Sequence, residues 1–368
     1  MLEFIRVQRF KTLLDASFPL SSLNLFSGLN GMGKSSLIQT LLLLRQSHDR
    51  RVLQDRGLLL KGEYINLGIG QDILSNQAEI EQIEFLLTWQ SHVPVSFVFN
   101  YAQSSDLQPL EKGSFMTYPE DASLFNGNFQ YLSADRIGPR NKYELSDFAL
   151  RELNSLGNQG EYAVQFIAEY GAKPIAIPAM RHVRAVANTF LENLNGWMSE
   201  ISPGVRVRAA IQAQFNAATL AYAFEQGKEF TADFKPQNVG FGLTYALPVV
   251  TSLLRAKPGD LVLIENPESH LHPAGQSALG RMCALVAAHG VQLMLETHSD
   301  HFLNGIRVAV KKGLIPAEQV RLFYLERHQQ DASHASLVNN PKIDGQGRID
   351  YWPKGFFDEW DDCLEQLL

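Results

Sequence analysis

The sequence predicts an α/β protein with a mixed central sheet, a smaller antiparallel β part and a helical insertion. Three observations predict this fold class. A glycine-rich loop at residues 27–36 stands between an apolar run and a helix-forming run. Buried-type apolar strands alternate with helical patterns from Leu261 onwards, as in a parallel sheet whose strands are joined by helices. Within residues 78–101, two alternating segments flank a short polar loop, which is typical of an antiparallel hairpin.

Composition and charge limit the kind of protein that this sequence can be. The chain has 368 residues, of which 45% are hydrophobic and 19% charged, so it is long and apolar enough for a sizeable core. Its net charge of −7 argues against a globally basic nucleic-acid-binding surface, but leaves a local basic patch open. Cys283 and Cys363 form no CxxC motif, and no segment has the pattern of a signal peptide or a membrane span. We therefore expect a cytoplasmic protein without a membrane partner.

The glycine-rich loop is the strongest functional signal. After a first predicted strand at residues 2–10 comes Gly28-x-x-x-x-Gly33-Lys34-Ser35, the Walker A or P-loop pattern. Its glycines let backbone N–H groups turn toward phosphate oxygens, Lys34 adds an ammonium, and the Ser35 hydroxyl is a hard ligand for Mg²⁺. The sequence therefore predicts a site for ATP and Mg²⁺. The residues predicted to bind the nucleotide in this loop are Asn30, Gly31, Gly33, Lys34, Ser35 and Ser36.

The sequence does not decide what two groups of basic residues bind. The stretch Arg45–Lys61 carries five Lys and Arg residues, for which a solvated face is favoured over a nucleic-acid contact. Arg136 and Arg140 follow a predicted strand at residues 131–134. They suit a phosphate, a partner or surface carboxylates equally well, and residue types alone do not decide between these.

The middle of the chain is predicted to contain a surface loop, a helical insertion and then short strands. Residues 103–128 are polar and contain Pro and Gly, as in a loop, and residues 143–202 have a helical pattern. The clearest helix is predicted over Met180–Ile201, and residues 205–234 alternate as short strands. The predicted core stripe of that helix is Val183, Val186, Phe190, Leu191, Leu194 and Trp197. No sustained heptads are present, which excludes a long coiled coil.

The second half of the chain places polar residues at a helix start and at two strand ends. The glycines of Gly240-Phe241-Gly242 precede a helical run, where they free backbone amides to meet an anion. The apolar strand 261–264 ends in Glu265-Asn266-Pro267-Glu268, and the strand 291–295 is followed closely by His298. Ligands bind at this edge in an open parallel sheet, so these side chains are candidates for chemistry on the nucleotide.

The order of these motifs resembles the head of ABC-type ATPases. More closely, the chain is similar to bacterial AAA-family ATPases with RecF/SMC-like and OLD-like heads. The stretches that carry the resemblance are FKTLLDASFPLSSLNLFSGLNGMGKSSLIQTLLLLRQS, YLSADRIGPR, NVGFGLTYALPVV, LVLIENPESHLHPAGQ and ETHSDHFLNGIRVAV. The resemblance implies an ABC-type P-loop ATPase head over residues 1–325. Residues 326–368 would form a small domain, whose tail from Ile343 is similar to an uncharacterised C-terminal domain of this subgroup.

The resemblance also implies a role for each matching residue of one protomer. Lys34 and Ser35 would bind phosphate and Mg²⁺, and Glu265 would be the Walker B metal ligand and a catalytic residue. His298 would be the switch histidine that contacts the γ-phosphate. Gln71 falls where ABC-type ATPases place the glutamine that senses γ-phosphate and Mg²⁺.

A second copy of the chain is implied as a partner. Gly240 and Gly242 would form the signature that completes the nucleotide site of the other protomer, and residues 270–273 would couple the two sites. This geometry implies a homodimer that holds two ATP molecules head to tail, with a higher oligomer also open. By family analogy, the chain would act on a separate effector of nuclease or toxin type in anti-phage defence.

One departure from the family pattern concerns hydrolysis. The usual strand ending is Asp-Glu, whereas this chain has Glu265-Asn266. The Asn266 amide has no proton-accepting carboxylate and cannot be a general base. We expect Glu268 to take this catalytic role; otherwise hydrolysis is slow and ATP mainly clamps the dimer.

Three other functions compete with this interpretation. A RecF-like DNA repair or recombination ATPase would bind DNA directly through the basic groups. A small-molecule kinase would share the P-loop but not the second glycine motif. A metal-dependent hydrolase would use His270, His272, His298, Asp300 and His301. The acidic residues Asp358, Glu359, Asp361 and Asp362 are predicted to be a solvated face, not a nuclease cluster.

Overall fold

The computed structural model describes residues 1–111, 118–119, 121–327, 335–357 and 359–367, with the side chains of 359–362 excepted. The strands are β1 Leu2–Phe10, β2 Leu13–Pro19, β3 Leu23–Gly28, β4 Gly57–Leu59, β5 Gln82–Trp89, β6 Val95–Asn100, β7 Leu107–Pro109, β8 Phe129–Leu132, β9 Val205–Gln212, β10 Ala217–Gln226, β11 Glu229–Phe230, β12 Leu261–Glu265, β13 Gln292–Glu296, β14 Val320–Arg327 and β15 Ser336–Asn339.

The α-helices are α1 Lys34–Asp49, α2 Ala163–Tyr170, α3 Phe190–Ile201, α4 Phe241–Arg255, α5 Pro273–Ala288, α6 Asp300–Lys311 and α7 Glu359–Leu367. Short 3-10 helices cover Gly70–Asp72, Ser123–Phe125, Pro178–Met180, Ala213–Phe215, Pro236–Asn238 and Ala317–Gln319, and a π-helix covers Phe148–Glu152. The chain divides into two compact units. The first comprises residues 1–126, 320–342 and 349–368, and the second comprises residues 127–319 and 343–348.

The first unit contains a four-stranded antiparallel sheet in the order β2-β1-β5-β6. Alternate residues of β5 are buried, so that Phe85 packs edge-on against Phe10 and Phe99. Strands β5 and β6 pair directly and form the hairpin predicted within residues 78–101. The period-two pattern determines which face of this sheet enters the core.

Strand β3 delivers the glycine-rich loop, and the C-terminal part of the chain supports it within the same unit. Strand β14 pairs with β3 in parallel, with Tyr324 opposite Ser27, and β15 pairs with β14 in antiparallel fashion. The rings of Phe26 and Phe323 stack with centroids 5.0 Å apart. Strand β3 is therefore buried by side-chain packing immediately before the loop begins.

The second unit contains the parallel strands β8, β12 and β13, with β12 in the middle. Helix α5 begins with Pro273 after the His272 cap, and α6 begins after Ser299, whose hydroxyl accepts from the Phe302 N–H at 2.9 Å. The two helices pack closely through glycine: a Cβ at Gly280 would lie 2.3 Å from the Phe302 carbonyl oxygen. This layer holds the ends of β12 and β13 beside each other, with Glu265 opposite Glu296.

The helical insertion differs from the prediction at its main helix. The predicted helix over Met180–Ile201 is wrong in its first half, because α3 begins only at Phe190. The Thr189 hydroxyl caps α3 by accepting from the Glu192 N–H, and Val183 and Val186 are 93% and 85% exposed instead of buried. Their valine spacing matched a helical stripe, but the preceding backbone is extended and turns near Pro178.

Two predicted surface segments are also more ordered than expected. Arg45 lies inside α1 with 9% exposure and donates to the carbonyls of Leu124 and Asn126, so it belongs to the core and not to a solvated face. The predicted loop 103–128 contains β7, which pairs with β4, and its residue Leu124 is buried. Both segments are polar in sequence, so a local pattern did not indicate the Arg45 contacts or the pairing of β7 with β4.

Several predictions concern features that extend over the chain. No helix in the described ranges is long and apolar enough to cross a membrane. The longest helices among the described residues, α1 and α5, have 16 residues each, so this part of the chain contains no long coiled-coil arm. The domain boundaries 1–325 and 326–368 stay a prediction. The solvated acidic face that was predicted at Asp358, Glu359, Asp361 and Asp362 lies outside the described side chains.

Candidate functional site

The glycine-rich loop joins β3 to α1 in the first unit. Gly31 and Gly33 have φ values of 77° and 86°, a left-handed conformation that favours glycine. Gly33 is the N-cap of α1, so the helix begins at Lys34. A helix start whose first N–H groups follow a left-handed turn is an arrangement that suits an anion.

Lys34 lies against this loop and not in solvent. Lys34 is 4% exposed, and its Nζ donates to the carbonyl oxygens of Gly28 at 2.8 Å and Leu29 at 2.9 Å. Ser35 is half-buried and Ser36 is buried. The ammonium is therefore held at the loop's own backbone, where a phosphate bound by the loop would meet it.

Two glycines of the loop are enclosed tightly enough to exclude a side chain. A Cβ at Gly28 would lie 2.2 Å from the Leu325 carbonyl oxygen, and one at Gly33 would lie 2.7 Å from Thr12 Oγ1. Gly31 is different, because nothing lies within 4 Å of its Cβ position. The cradle thus fits a phosphate group in shape and in donor chemistry, and Ser35 offers the oxygen donor that Mg²⁺ prefers.

The other two predicted residues of the first unit occupy exposed positions. Asn30 is exposed at the loop tip. Gln71 lies in the 3-10 helix Gly70–Asp72 with an exposed side chain, and its N–H donates to the Gln103 carbonyl at 3.0 Å. Their role toward a nucleotide stays a prediction.

In the second unit, Glu265 ends β12, and both of its carboxylate oxygens accept hydrogen bonds. Its Oε1 accepts from the Tyr131 hydroxyl at 3.0 Å, and Oε2 accepts from the Ala134 N–H at 3.3 Å. Burial raises the pKa of Glu265, while these two donors and the nearby Arg136 oppose that rise. The carboxylate is a hard oxygen donor and has the chemistry of a Mg²⁺ ligand.

Arg136 organises the same strand end, and sequence reasoning left its role open. The residue is 2% exposed, and Nη1 donates to the carbonyls of Ser133 at 3.1 Å and Glu265 at 2.7 Å. Nη2 donates to the Asn266 carbonyl at 2.5 Å. Burial lowers the pKa of Arg136 to about 10, so the side chain stays charged at neutral pH. Its position close after a buried-type strand was the available signal, but its partners Glu265 and Asn266 are 129 and 130 residues away in sequence.

Asn266 and Glu268 form the turn that follows β12. Asn266 has a φ of 43°, and its N–H donates to the Glu296 carbonyl at 2.8 Å. Glu268 is 7% exposed, and its Oε1 accepts from the His298 N–H at 2.9 Å. Burial raises the pKa of Glu268, and hydrogen bonds from His298 and Thr297 lower it.

The structure brings the predicted base and the predicted switch histidine together. Glu268 and His298 line one cavity of about 390 Å³, and the His298 side chain is exposed to solvent. The complete lining is Asn266, Glu268, Ser269, His270, Gln276, His298, Ser299 and Asp300. A buried carboxylate and an exposed imidazole at one cavity place a proton acceptor and a polar ring side by side.

The predicted signature glycines lie at the start of α4. Gly240 is the exposed N-cap, with nothing within 4 Å of its Cβ position, whereas a Cβ at Gly242 would lie 2.5 Å from the His270 carbonyl oxygen. Both glycines line a second cavity of about 490 Å³ together with His270 and His272. The glycine motif and the 270–273 turn are therefore neighbours, and their roles toward a nucleotide stay a prediction.

The histidines named for the metal-dependent hydrolase do not form a metal site in the described part of the chain. No group of three or more His, Cys, Asp or Glu side chains among the described residues is arranged to hold a metal ion. His272 instead caps α5, since its Nδ1 accepts from the Ala274 N–H at 3.3 Å. His301 faces Asp300 at 3.8 Å on the exposed first turn of α6.

Two family models match parts of the chain. Residues 183–304 match the family described as "AAA domain, putative AbiEii toxin, Type IV TA system". Residues 315–367 match the family described as "Protein of unknown function (DUF3696)". The second match agrees with the predicted resemblance to an uncharacterised C-terminal domain.

Individual relatives agree with the ATPase family match. The "DNA replication and repair protein RecF" of Corynebacterium jeikeium (strain K411) is 25% identical over 226 residues, which are 59% of this chain and 51% of the relative. The chain thus spans about half the length of this curated relative. Two solved SMC heads are similar in fold. One, bound to the C-winged helix domain of ScpA, has 11% identity and a TM-score of 0.51, covering 93% of this chain and 98% of its own.

The other solved SMC head carries an extended coiled coil and is bound to the C-terminal domain of ScpA, derived from Pyrococcus furiosus. It has 12% identity and a TM-score of 0.50, covering 100% of this chain and 99% of its own. At these identities the SMC heads establish the fold alone. Together, the matches confirm the predicted fold class and the predicted resemblance to ABC-type AAA ATPases.

Proposed function

We propose that this chain, which has the fold of an ABC-type ATPase head, binds and hydrolyses ATP with Mg²⁺. The observation that carries the proposal is the loop from Gly28 to Lys34, whose left-handed glycines and helix start form a phosphate cradle with the ammonium already in place. Lys34 binds phosphate oxygens, while Ser35 and Glu265 each offer an oxygen ligand for Mg²⁺. In this proposal the nucleotide also contacts Asn30, Ser36 and Gln71.

Hydrolysis in this proposal depends on Glu268. Asn266 cannot accept a proton, whereas Glu268 has a carboxylate at the same cavity, fixed by the His298 N–H at 2.9 Å. Mg²⁺, when bound, neutralises phosphate charge. Glu268 takes the proton of water, and His298, with its exposed imidazole beside Glu268, contacts the γ-phosphate.

A second copy completes the proposed site. Gly240 is exposed at the start of α4 with open space at its Cβ position, so its backbone can approach a phosphate of another protomer. The result is a head-to-tail homodimer around two ATP molecules, with room for a higher oligomer. We further propose, by analogy with the toxin–antitoxin family at residues 183–304, that the dimer controls a separate effector in anti-phage defence.

A RecF-like DNA repair ATPase is the second candidate, and the RecF relative favours it. Direct DNA contact through residues 45–61 has less support, because Arg45 is buried and Arg50 and Lys61 pair with Glu63 and Asp106. Duplex binding that falls with salt and rises with ATP would favour this candidate.

The proposal is tested with ATP binding, phosphate release and solution mass on four variants. Wild type should bind ATP, release phosphate and change from monomer to dimer with ATP. Lys34→Ala should lose all three properties, and Glu268→Gln should bind and dimerise but not turn over. Gly240→Asp should bind ATP but remain monomeric, because its carboxylate repels the partner's nucleotide.

The matched control for the dimer is Gly345→Asp. Like Gly240, Gly345 is exposed and has nothing within 4 Å of its Cβ position, but it lies outside the proposed interface. This variant should dimerise as wild type does. Absence of ATP binding by the wild-type chain would overturn the whole proposal, and an unchanged rate in Glu268→Gln would overturn the base assignment.

A further inference from the structure

Helix α7, Glu359–Leu367, is acidic in sequence and leaves apolar side chains in solvent. Its sequence, EWDDCLEQL, contains four acidic residues and no basic one. Leu364 and Leu367 are 40% and 81% exposed, and their spacing of three residues places them on one side of the helix. This helix therefore offers apolar surface, combined with negative charge, that a contact with another surface would remove from water.

The end of helix α6 has the opposite charge. Lys311 is the last residue of α6 and Lys312 is its C-cap, and both are exposed. Neither lysine forms an ion pair with a carboxylate among the described residues. The C-terminal end of a helix dipole favours cations at this position, but this leaves their charges in solvent. Two positive charges thus face outward together, in a chain whose net charge is −7.

Apolar side chains lie beside these lysines. Val308 precedes Lys311 and Lys312 by three and four residues, so that the three side chains share one face of α6. Leu314 follows the helix, and its N–H donates to the Ala309 carbonyl at 3.0 Å, which keeps it at the helix end. Val308 and Leu314 are each 39% exposed. We name these four residues, Val308, Lys311, Lys312 and Leu314, the α6 patch.

We propose that helix α7 of one copy of the chain binds the α6 patch of a second copy. The negative charge of the helix meets the two lysines, while Leu364 and Leu367 pack on the apolar side chains of the patch. Charge complementarity favours this occupant, because the patch is positive, the helix is negative, and every copy carries both. Two copies that exchange this contact reciprocally form a closed dimer.

The contact goes beyond the proposed ATP dimer and does not depend on nucleotide. Helix α7 has nine residues, about 13 Å of helix, so the interface is smaller than that of a stable complex. A dilute chain without ATP therefore stays monomeric, and association through α7 grows with protein concentration. The association also weakens in salt, because the charges on both surfaces are screened.

Cysteine crosslinking without ATP tests the contact, because α7 contains a cysteine. Cys363 is exposed, whereas Cys283 is fully buried and inert. Val308→Cys, treated with a short bismaleimide, should form a covalent dimer with the mass of two chains, and adding Cys363→Ser should abolish it. The matched control is Val183→Cys, which replaces a valine that is 93% exposed and lies outside the α6 patch. Its dimer yield should be at least about tenfold lower, because its thiol is not held near α7.

A charge swap in the Val308→Cys chain provides the second readout. Lys311→Glu/Lys312→Glu should lower the dimer yield about tenfold, because attraction to the acidic helix becomes repulsion. Adding Asp361→Lys/Asp362→Lys should restore the yield toward that of Val308→Cys alone. Urea denaturation of each variant checks that the chain remains folded.

The control for the charge change is Lys228→Glu/Lys235→Glu, again in the Val308→Cys chain. It reverses two exposed lysines outside the α6 patch and so alters the net charge equally. Its dimer yield should equal that of Val308→Cys. An equal loss in this control and in Lys311→Glu/Lys312→Glu would mean that net charge, and not the α6 patch, governs association.

Three other results contradict the proposal. Equal dimer yields in Val308→Cys and Val183→Cys, or no dimer in either, would assign α7 to a partner other than a second copy. A crosslinked product with the mass of one chain would place the contact within a single copy. A yield that Asp361→Lys/Asp362→Lys does not restore would show that the acidic helix and the two lysines do not meet. Because every measurement is made without ATP, these results are independent of the proposed ATPase activity.

Discussion

Single residues in this protein illustrate how much a side chain's role depends on what surrounds it. Gly28 and Gly31 belong to one motif, yet only Gly28 is enclosed by backbone from β14. Arg136 and Arg140 belong to one short stretch, yet only Arg136 is buried. Two residues of the same type, a few positions apart, can therefore contribute differently to the free energy of unfolding.

Replacement of the loop glycines by alanine should separate strain from steric exclusion. Gly31→Ala has only the left-handed φ to accommodate and should cost about 1–2 kcal/mol of unfolding free energy. Gly28→Ala adds a Cβ 2.2 Å from the Leu325 carbonyl oxygen, so its cost in unfolding free energy should exceed that of Gly31→Ala by about 1–3 kcal/mol. Urea denaturation of both variants measures the difference, and equal stabilities would contradict the packing described for Gly28.

Removal of the Arg136 guanidinium should damage both stability and turnover. Arg136→Met leaves the carbonyls of Ser133, Glu265 and Asn266 without their donor, at a cost of about 1–3 kcal/mol for each buried acceptor. Because Glu265 and the turn at Asn266 then lose their support, kcat should fall as well. Urea denaturation and phosphate release measure the two effects.

The control for this substitution is Arg140→Met, which changes an exposed residue of the same stretch. It should leave the unfolding free energy within about 0.5 kcal/mol of wild type. Comparable losses in both variants would mean that the buried hydrogen bonds of Arg136 contribute little.

Secondary-structure elements show where periodicity is informative and where it misleads. The hairpin of β5 and β6 was predictable, because strict alternation over eight residues has one dominant explanation. Helix α3 was predicted ten residues too long at its start, because two valines fell at helical spacing by chance. The Thr189 cap, which satisfies the Glu192 N–H, was the better boundary signal.

The β1–β2 hairpin carries a pH-dependent ion pair. Arg6 donates to both carboxylate oxygens of Asp15, at 2.8 and 2.6 Å, and these bonds hold the pKa of Asp15 below its usual range. A lowered carboxyl pKa means that the pair stabilises the fold above the unfolded pKa and that this contribution is lost as pH falls through the folded one. Asp15→Asn should therefore cost at most about 1 kcal/mol at pH 7, since both side chains are substantially exposed.

The pH dependence is checked by urea denaturation of wild type and Asp15→Asn between neutral and acidic pH. The difference between the two proteins should vanish in acid, where Asp15 is protonated in both states. It should also shrink in high salt, because the pair is exposed to screening. A difference that grows toward acidic pH would contradict the assignment.

The whole chain combines an ATPase head fold with a second family match over residues 315–367. Part of that second region, β14 and β15, packs in the same unit as the glycine-rich loop. There the Leu325 carbonyl oxygen leaves no room for a side chain at Gly28, and the Ser336 N–H donates to the Thr12 carbonyl. The region of unknown function therefore supports the proposed nucleotide site directly.

ATP binding should stabilise the chain as a whole. A ligand that binds only the folded state adds about 2.7 kcal/mol at a concentration 100 times its Kd. With Mg²⁺, ATP should therefore raise the Tm of wild type by several degrees, and Lys34→Ala should show no shift. Thermal unfolding by differential scanning fluorimetry measures both, and an equal shift in the variant would contradict the role of Lys34.

Local patterns were sufficient for the loop, the two polar strand ends and the antiparallel hairpin. Glycine spacing, apolar runs and alternation are properties of consecutive residues, so they can be recognised without any long-range contact. The solved folds and the family matches agree with the fold class that these patterns indicated.

Long-range contacts determined the rest. Arg136 donates to Glu265, 129 residues away, and Arg45 donates to Leu124, 79 residues away, so no local pattern identified either residue as buried. The residue types of Asn266 and Glu268 indicated that the usual catalytic base is missing and that a carboxylate two residues later could replace it. Only the packing of β12 against β13 brings the turn that contains both residues beside His298, at one cavity.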